Sequence, residues 1–360
     1  IECDKCNFHT YLHPFKETLY TSFPVRWSNC AVYCTYLSDK MFRQRSSLLF
    51  TAIRYSSSKY VLLIGCENGA AGRKLGCEEA VRVMRQSHFL EKCKIAHKWA
   101  ATIQETQSGR QQAAIPGVSK LARQLASTVH RWIMLNEHPV VIGGDHSCAI
   151  GTWSGLAAAL RDKGNIGLIW LDAHLDAHTP DTSETGNVHG MPVAHLLGYG
   201  DKTLVTVFDD RPKLSPKNLV YIGSRSYEAA EKNFIDKLGV KIFSQSDVDK
   251  LGIEKVLNTA IEIVSKDTVG FGMSIDMDGF REEDAPAVGT PEAGGVIADD
   301  FLKAVEKANL DKLLVTELVE FLPRFDKRRR TEQLIVRIIE AIYGNKFSRK
   351  NEEVHQRHRK

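Results

Sequence analysis

The sequence predicts an α/β protein of three layers, helix on sheet on helix, with a central, mostly parallel sheet in a single domain. Three observations predict it. Short apolar runs alternate with amphipathic segments from residue 59 to residue 344. Several runs are apolar almost throughout, as strands covered on both faces are. Three of them end in acids and imidazoles, and open parallel sheets gather their sites beyond the carboxyl ends of the strands.

The elements follow in order. Residues 59–65 (KYVLLIG) read as the first strand. Residues 77–87 read as a helix with Ala80, Val81, Val83 and Met84 on its apolar side. A polar loop spans 104–117. Residues 119–136 form an amphipathic helix, with Leu121, Leu125, Val129 and Trp132 or Ile133 at helical spacing. A short strand at 139–142 runs into Gly143 and Gly144, which let the backbone bend tightly. A helix over 149–163 buries Trp153, Leu156 and Leu160. The central strand starts at Ile166, and a Thr/Ser/Asp/Gly-rich loop covers 178–190. His189 opens a helix through Leu197, and a loop with two prolines spans 201–217. Strands at 219–223 and 240–243 alternate with helices at 227–238 and 247–264. Then come a strand at 269–277, a Pro/Gly-rich loop at 283–295 and a helix at 298–308. A strand at 312–321 and a last helix at 331–343 close the domain.

The chemistry sits at three strand ends. The run Ile166–Leu171 delivers Asp172, His174 and Asp176, which an extended chain would point to one side. The 139–142 run delivers His146, and the 269–275 run delivers Asp276 and Asp278. Asp and His at strand ends also serve as turn formers and helix caps. Three such ends together favour ligation. Four carboxylates and two imidazoles are too many for one structural zinc, which takes four ligands. An oxygen-rich set with some imidazole suits Mn²⁺. Four acids in one pocket repel unless cations offset them. Two divalent ions would do so, and would lower the pKa of a shared water.

Four motifs carry a family resemblance: G-G-D-H-S at 143–147, D-A-H-x-D at 172–176, G-N-x-H-G at 186–190 and S-x-D-x-D-G at 274–279. In this order they resemble the signatures of the ureohydrolase superfamily, most closely those of arginase. The resemblance implies hydrolysis of L-arginine to L-ornithine and urea, by attack of a metal-bridging hydroxide on the guanidinium carbon. It implies two Mn²⁺ per subunit. One would be held by His146, Asp172, Asp176 and Asp276, the other by Asp172, His174, Asp276 and Asp278. Asp176 would relay a proton, and His189 would act as general acid or base. Glu320 would receive the guanidinium through paired hydrogen bonds. Glu317, on the opposite face by strand alternation, reads as structural. The resemblance maps His178, Thr185 and Asn187 to the substrate carboxylate, Glu228 to its α-amino group and Thr290 to the pocket wall. His178 stands where arginases commonly have Asn, and Glu228 where they have Asp. Arg281-Glu282-Glu283 replaces a more usual Asp-Pro, and 76–80 departs from G-V-E-x-G-P. The alternatives are another ureohydrolase, agmatinase or a guanidino-acid hydrolase, and a non-catalytic metal-binding relative. Relatives of this kind form homotrimers or homohexamers.

The ends differ from the middle. Residues 1–58 lack clear periodicity and hold four of the eight cysteines. Cys3, Cys6, Cys30 and Cys34 are loosely spaced like a zinc ribbon. Residues 41–58 contain three Arg, five Ser and no acid, the composition of a mitochondrial transit peptide. That predicts a mature start near Ser56 and a mitochondrial location, with a disordered cytoplasmic leader as the alternative. Cys66, Cys77, Cys93 and Cys148 suggest no disulfide framework. Residues 345–360 carry six Lys/Arg against two Asp/Glu, which equals the chain's whole formal charge of +4. They read as a solvated basic tail. The expected partner is a small-molecule substrate, with no case for nucleic acid. No apolar run approaches the ~18 residues of a membrane span.

Overall fold

The structure is a computed structural model that describes residues 60–106 and 109–357. The transit-peptide and four-cysteine expectations fall outside the described residues. Among those residues, no helix is long and apolar enough to cross a membrane.

Eight strands form one sheet: β1 (Val61–Glu67), β2 (His97–Gln104), β3 (Val140–Ile142), β4 (Ile166–Leu171), β5 (Leu219–Ser224), β6 (Lys241–Ser244), β7 (Gly270–Asp276) and β8 (Leu313–Val319). Their order is β2-β1-β3-β8-β7-β4-β5-β6, and every pairing is parallel. The sheet is thus wholly parallel where the sequence predicted mostly parallel. β2 was not predicted at all. It is an edge strand, half-buried along most of its length, with polar ends. A strand of that kind lacks the continuous apolar run that marks a central one.

Helices cover both faces. On one side lie α1 (Ile115–Met134) and α2 (Ala149–Leu160). Their Leu125, Val129, Trp153 and Leu156 meet Ile64, Val141, Leu168 and Trp170 of the sheet. On the other lie α3 (Ile253–Ser265), α4 (Ala298–Lys307) and α5 (Arg330–Arg357). They pack on Leu63, Ile142, Ile169, Leu171 and Ile275. Leu168 and Trp170 face one core while Ile169 and Leu171 face the other, the period of two that a strand imposes. Each fully buried Leu or Ile stabilises the fold by about 1.5–3 kcal/mol.

Three helical expectations change. The 247–264 stretch divides into Gln245–Leu251 and α3, because Gly252 adopts φ 80°. The segment opened by His189 is a 3-10 turn, Val188–Gly190, followed by Pro192–Leu196. The described part of the basic tail is helical, for α5 continues through residue 344 to Arg357. Asn345 donates to the carbonyls of Val305 and Ala308 at 2.7 and 2.9 Å, and buried Lys346 donates to those of Leu310 and Leu313. These bonds satisfy carbonyls at the end of α4 and in the link to β8, and the helix runs on past the predicted domain limit at 344.

The four central strands, β3, β8, β7 and β4, end side by side. The loop after β3 is cradled by Asn68. Its side chain accepts from the Gly144 amide at 3.0 Å and donates to the Asp145 carbonyl at 2.8 Å. A Cβ on Gly144 would lie 1.7 Å from the Asn68 carbonyl oxygen, so close approach, not an unusual φ, demands glycine. Gly144→Ala is expected to cost about 3 kcal/mol by overpacking, read as a lowered denaturant midpoint.

Candidate metal centre and its cavity

Each central strand delivers a piece of the site. After β3, Asp145 does not point at the cluster. Its carboxylate accepts from the amides of Ala71, Gly72 and Ser147, all at 3.1 Å, and so sets the turn that presents His146. After β4 the chain turns instead of staying extended. Asp176 takes φ 49°, in the left-handed region that Asp tolerates better than most residues. The turn, not strand alternation, brings Asp172, His174 and Asp176 together. After β7, Asp276 caps its own turn, accepting from the Asp278 amide at 2.8 Å. After β8, Glu320 takes φ 62°, a strained setting for a residue of its length.

Two clusters result. His146 Nδ1 lies 3.2 Å from Asp172 Oδ2, 3.0 Å from Asp176 Oδ2 and 3.1 Å from Asp276 Oδ2. His174 Nδ1 lies 3.3 Å from both Asp172 Oδ1 and Asp278 Oδ2. Asp172 belongs to both, one oxygen to each. Trp170 supports it: the indole stacks on His146 with centroids 4.1 Å apart and donates to Asp172 Oδ2 at 2.9 Å. Thr290, expected in the pocket wall, lines the cavity and donates to Asp278 Oδ2 at 2.8 Å.

These residues fit cations. His146 Nδ1 is buried and makes no hydrogen bond, though three carboxylate oxygens surround it. Burial, then the charges of Asp278 and Asp172, pushes the Asp276 carboxyl well above its usual range. Burial and Asp172 push Asp176 up to about 6. Burial opposes ionisation of Asp172 too, but the two imidazoles outweigh it and hold its pKa low. Without cations the cluster lacks the positive charge that four ionised acids require. His146, Asp172, Asp176 and Asp276 form one donor set, and Asp172, His174 and Asp278 with the neighbouring Asp276 form the other.

A cavity of about 160 Å³ opens onto the clusters. His174, Asp176, His189, Asp276 and Thr290 line it, as do His178, Thr185, Asn187 and Glu228. His178 Nε2 pairs with Glu228 Oε2 at 2.9 Å and lies 3.6 Å from Glu231 Oε1. The His178 hydrogen bond leads the influences that hold Glu228 below its usual pKa. His189 Nδ1 lies 2.9 Å from Glu320 Oε1, which also accepts from the His146 amide at 2.8 Å. Burial alone would lower the His189 pKa, but Glu320 outweighs it and raises it to about 9. Glu320 is 2% exposed and sits behind His189, outside the cavity lining.

Three cavity or supporting residues escaped the sequence reading. Trp170 looked like one more core residue of an apolar strand. Glu231 lines the cavity, accepts from the Ala177 amide at 3.1 Å and, chiefly through burial, is pushed up to about 8. Its signal was the Glu228-x-x-Glu231 spacing of a capping box, which the structure contains. Arg73 is the sole Lys or Arg among the described residues lining the cavity.

A parallel three-layer sheet with two imidazole–carboxylate clusters sharing one acid at its carboxyl edge is the arrangement that the ureohydrolase resemblance implies. Residues 59–344 match the arginase family, and the chain belongs to it. It is 39% identical over 225 residues to arginase from Brevibacillus brevis, covering 62% of this chain and 74% of that one. It superposes on native arginase from Bacillus caldovelox with a TM-score of 0.74 at 32% identity, covering 79% of this chain and 98% of the other. For Entamoeba histolytica arginase in complex with L-ornithine the TM-score is 0.72 at 28% identity, with coverage of 79% and 98%.

Proposed function

We propose that this chain hydrolyses the guanidino group of L-arginine, giving L-ornithine and urea. The observation that carries the reading is Asp172, shared by two clusters at the floor of a cavity sized for a small molecule. Family membership and the E. histolytica relative's L-ornithine complex support the substrate. Two divalent cations held by these donor sets would supply the Lewis acidity that activates water at neutral pH.

The protein's own groups do the rest. Asp176, between His146 and the cavity, is placed to take a proton from the attacking water. His189 has its Nδ1 engaged by Glu320, so Nε2 is the nitrogen left to protonate the leaving amine. Glu320 orients that ring, and its charge reaches the guanidinium from behind it. Thr185, Asn187 and His178 face the substrate carboxylate, Glu228 its α-amino group, and Thr290 closes the wall beside Asp278.

Manganese is favoured by six donors that are carboxylate or imidazole with no thiolate. The trimer or hexamer rests on the family resemblance alone. The composition of residues 41–58 supports a mitochondrial location, and the bacterial origin of the B. brevis and B. caldovelox relatives supports the cytoplasmic alternative.

One assay tests substrate and pocket together. Mn²⁺-loaded protein is expected to release urea from arginine and little from agmatine, which lacks the carboxylate. Arg73→Gln is expected to raise KM for arginine about tenfold to a hundredfold, a charged hydrogen bond contributing about 1.5–3 kcal/mol, and to leave agmatine unchanged. No urea from arginine overturns the reading. Urea from agmatine alone transfers it to the agmatinase alternative.

A further inference from the structure

Glu317 is buried below the cluster and touches none of the cavity. Its place on β8 suggested a structural residue. Its contacts run elsewhere. His146 Nε2 lies 2.9 Å from Ser274 Oγ, and Ser274 Oγ lies 2.7 Å from Glu317 Oε2. Trp153 Nε1 donates to the same Oε2 at 3.2 Å, and the Cys148 thiol reaches Oε1 at 3.7 Å. All five residues are buried. The three strands involved explain the convergence. Ser274 and Glu317 are register partners on adjacent β7 and β8, and His146 follows β3 on the far side of β8.

The direction of these bonds is fixed by the other end of the ring. Nδ1 faces three carboxylate oxygens, the position of a ligating nitrogen. Nε2 therefore carries the ring hydrogen and donates to Ser274 Oγ. The hydroxyl has one hydrogen, and it goes to Glu317. The carboxylate is the terminal acceptor, and Trp153 pins it in place. Trp170 stacked on the flat face of His146 leaves the imidazole little freedom to rotate.

We propose that Glu317 is a positioning residue for the metal centre, acting through Ser274 on His146. This rests on reading the cluster as a metal centre. A buried carboxylate behind an imidazole fixes its tautomer and makes the opposite nitrogen a better donor to a cation. Here the carboxylate acts at one remove, through a serine hydroxyl. It works on the single imidazole of the His146 set, the one in contact with three acids.

The test uses the full chain and Mn²⁺ alone. Glu317→Gln keeps the shape and leaves an amide oxygen to accept from both Ser274 and Trp153, so it removes the charge with least disturbance. Ser274→Ala breaks the link. Each single variant is expected to weaken Mn²⁺ binding, measured by equilibrium dialysis, by about tenfold to a hundredfold. The double variant is expected to bind no more weakly than Ser274→Ala, because the charge acts only through the hydroxyl. Ser274→Thr, which retains the hydroxyl, is expected to recover most of the affinity. A purely packing role would instead give additive losses in the unfolding midpoint of the metal-free protein and native Mn²⁺ affinity. Native affinity in both single variants, or full additivity in the double, overturns the relay while leaving the metal centre standing. A native chain that takes up no Mn²⁺ overturns the metal-centre reading and the relay together.

Discussion

Replacing Asp172 by Asn is expected to strip the protein of bound metal and reduce urea release to background. The substitution keeps the shape of the side chain, so the effect is chemical. One oxygen of Asp172 accepts from the His174 amide at 2.7 Å, and the other accepts from Trp170 Nε1 at 2.9 Å. An Asn must turn its NH2 toward one of these donors, so whichever way it sits, one buried N–H faces another. The same two oxygens serve the two donor sets, so the damage reaches both. Stability without metal falls as well. The two imidazoles hold the Asp172 carboxylate ionised against burial, so its charge favours the fold. Its loss leaves both rings short of an anionic partner, and the metal-free variant is expected to melt below metal-free native protein. What disappears is the Mn²⁺-dependent rise in melting temperature. Linkage predicts about 2.7 kcal/mol of added stability for native protein at a hundred times the dissociation constant, and none for a variant that does not bind. Inductively coupled plasma analysis, a urea assay and paired melts separate these effects. A variant with full activity and a full Mn²⁺-dependent shift would place the centre elsewhere.

The sequence made some of this visible and hid the rest for physical reasons. Ile166–Leu171 was legible because a strand buried on both faces leaves no polar residue inside it. The six clustered acids and imidazoles were legible because each closes such a run. β2 was hidden because half-burial at a sheet edge blurs its pattern. Alternation correctly placed residues within strands, as at Leu168 to Leu171, and misled just beyond them. Asp176 and Glu320 both sit at positive φ, where a period of two no longer holds. For Glu317 and Glu320 it predicted opposite faces and hence one functional acid. In the structure both reach His146, one at its backbone amide and the other through Ser274. Contacts between strands far apart in sequence carry no local signature, which is why Trp170 and Asn68 passed as ordinary strand and loop residues and why Ser274, though it opens the 274–279 motif, was given no role. The pairing of His178 with Glu228 was hidden for the same reason, although both residues were singled out one by one.

Replacing His189 by Gln is expected to lower kcat by about 10²–10⁴-fold, the usual worth of a positioned general acid or base, with metal content unchanged. His189 is in neither donor set, so the cations stay. Its removal bears on the leaving group. Collapse of the tetrahedral species expels an amine that is a poor leaving group until it is protonated. The Glu320 carboxylate, 2.9 Å from Nδ1, raises the imidazole to a pKa of about 9, so at neutral pH the ring already carries the proton to be given. Glutamine can still donate an amide hydrogen to Glu320, which keeps that buried carboxylate paired, but it has no proton to transfer. Alanine would confound the result by leaving Glu320 short of a partner, a cost of about 1–3 kcal/mol in folding stability. The split between constants decides the role. A fall in kcat with KM for arginine near native assigns His189 to the proton, because binding does not depend on it. A rise in KM with kcat preserved would make the ring a wall of the cavity and pass the proton to Asp176, the other titratable group at hand between the clusters and the substrate.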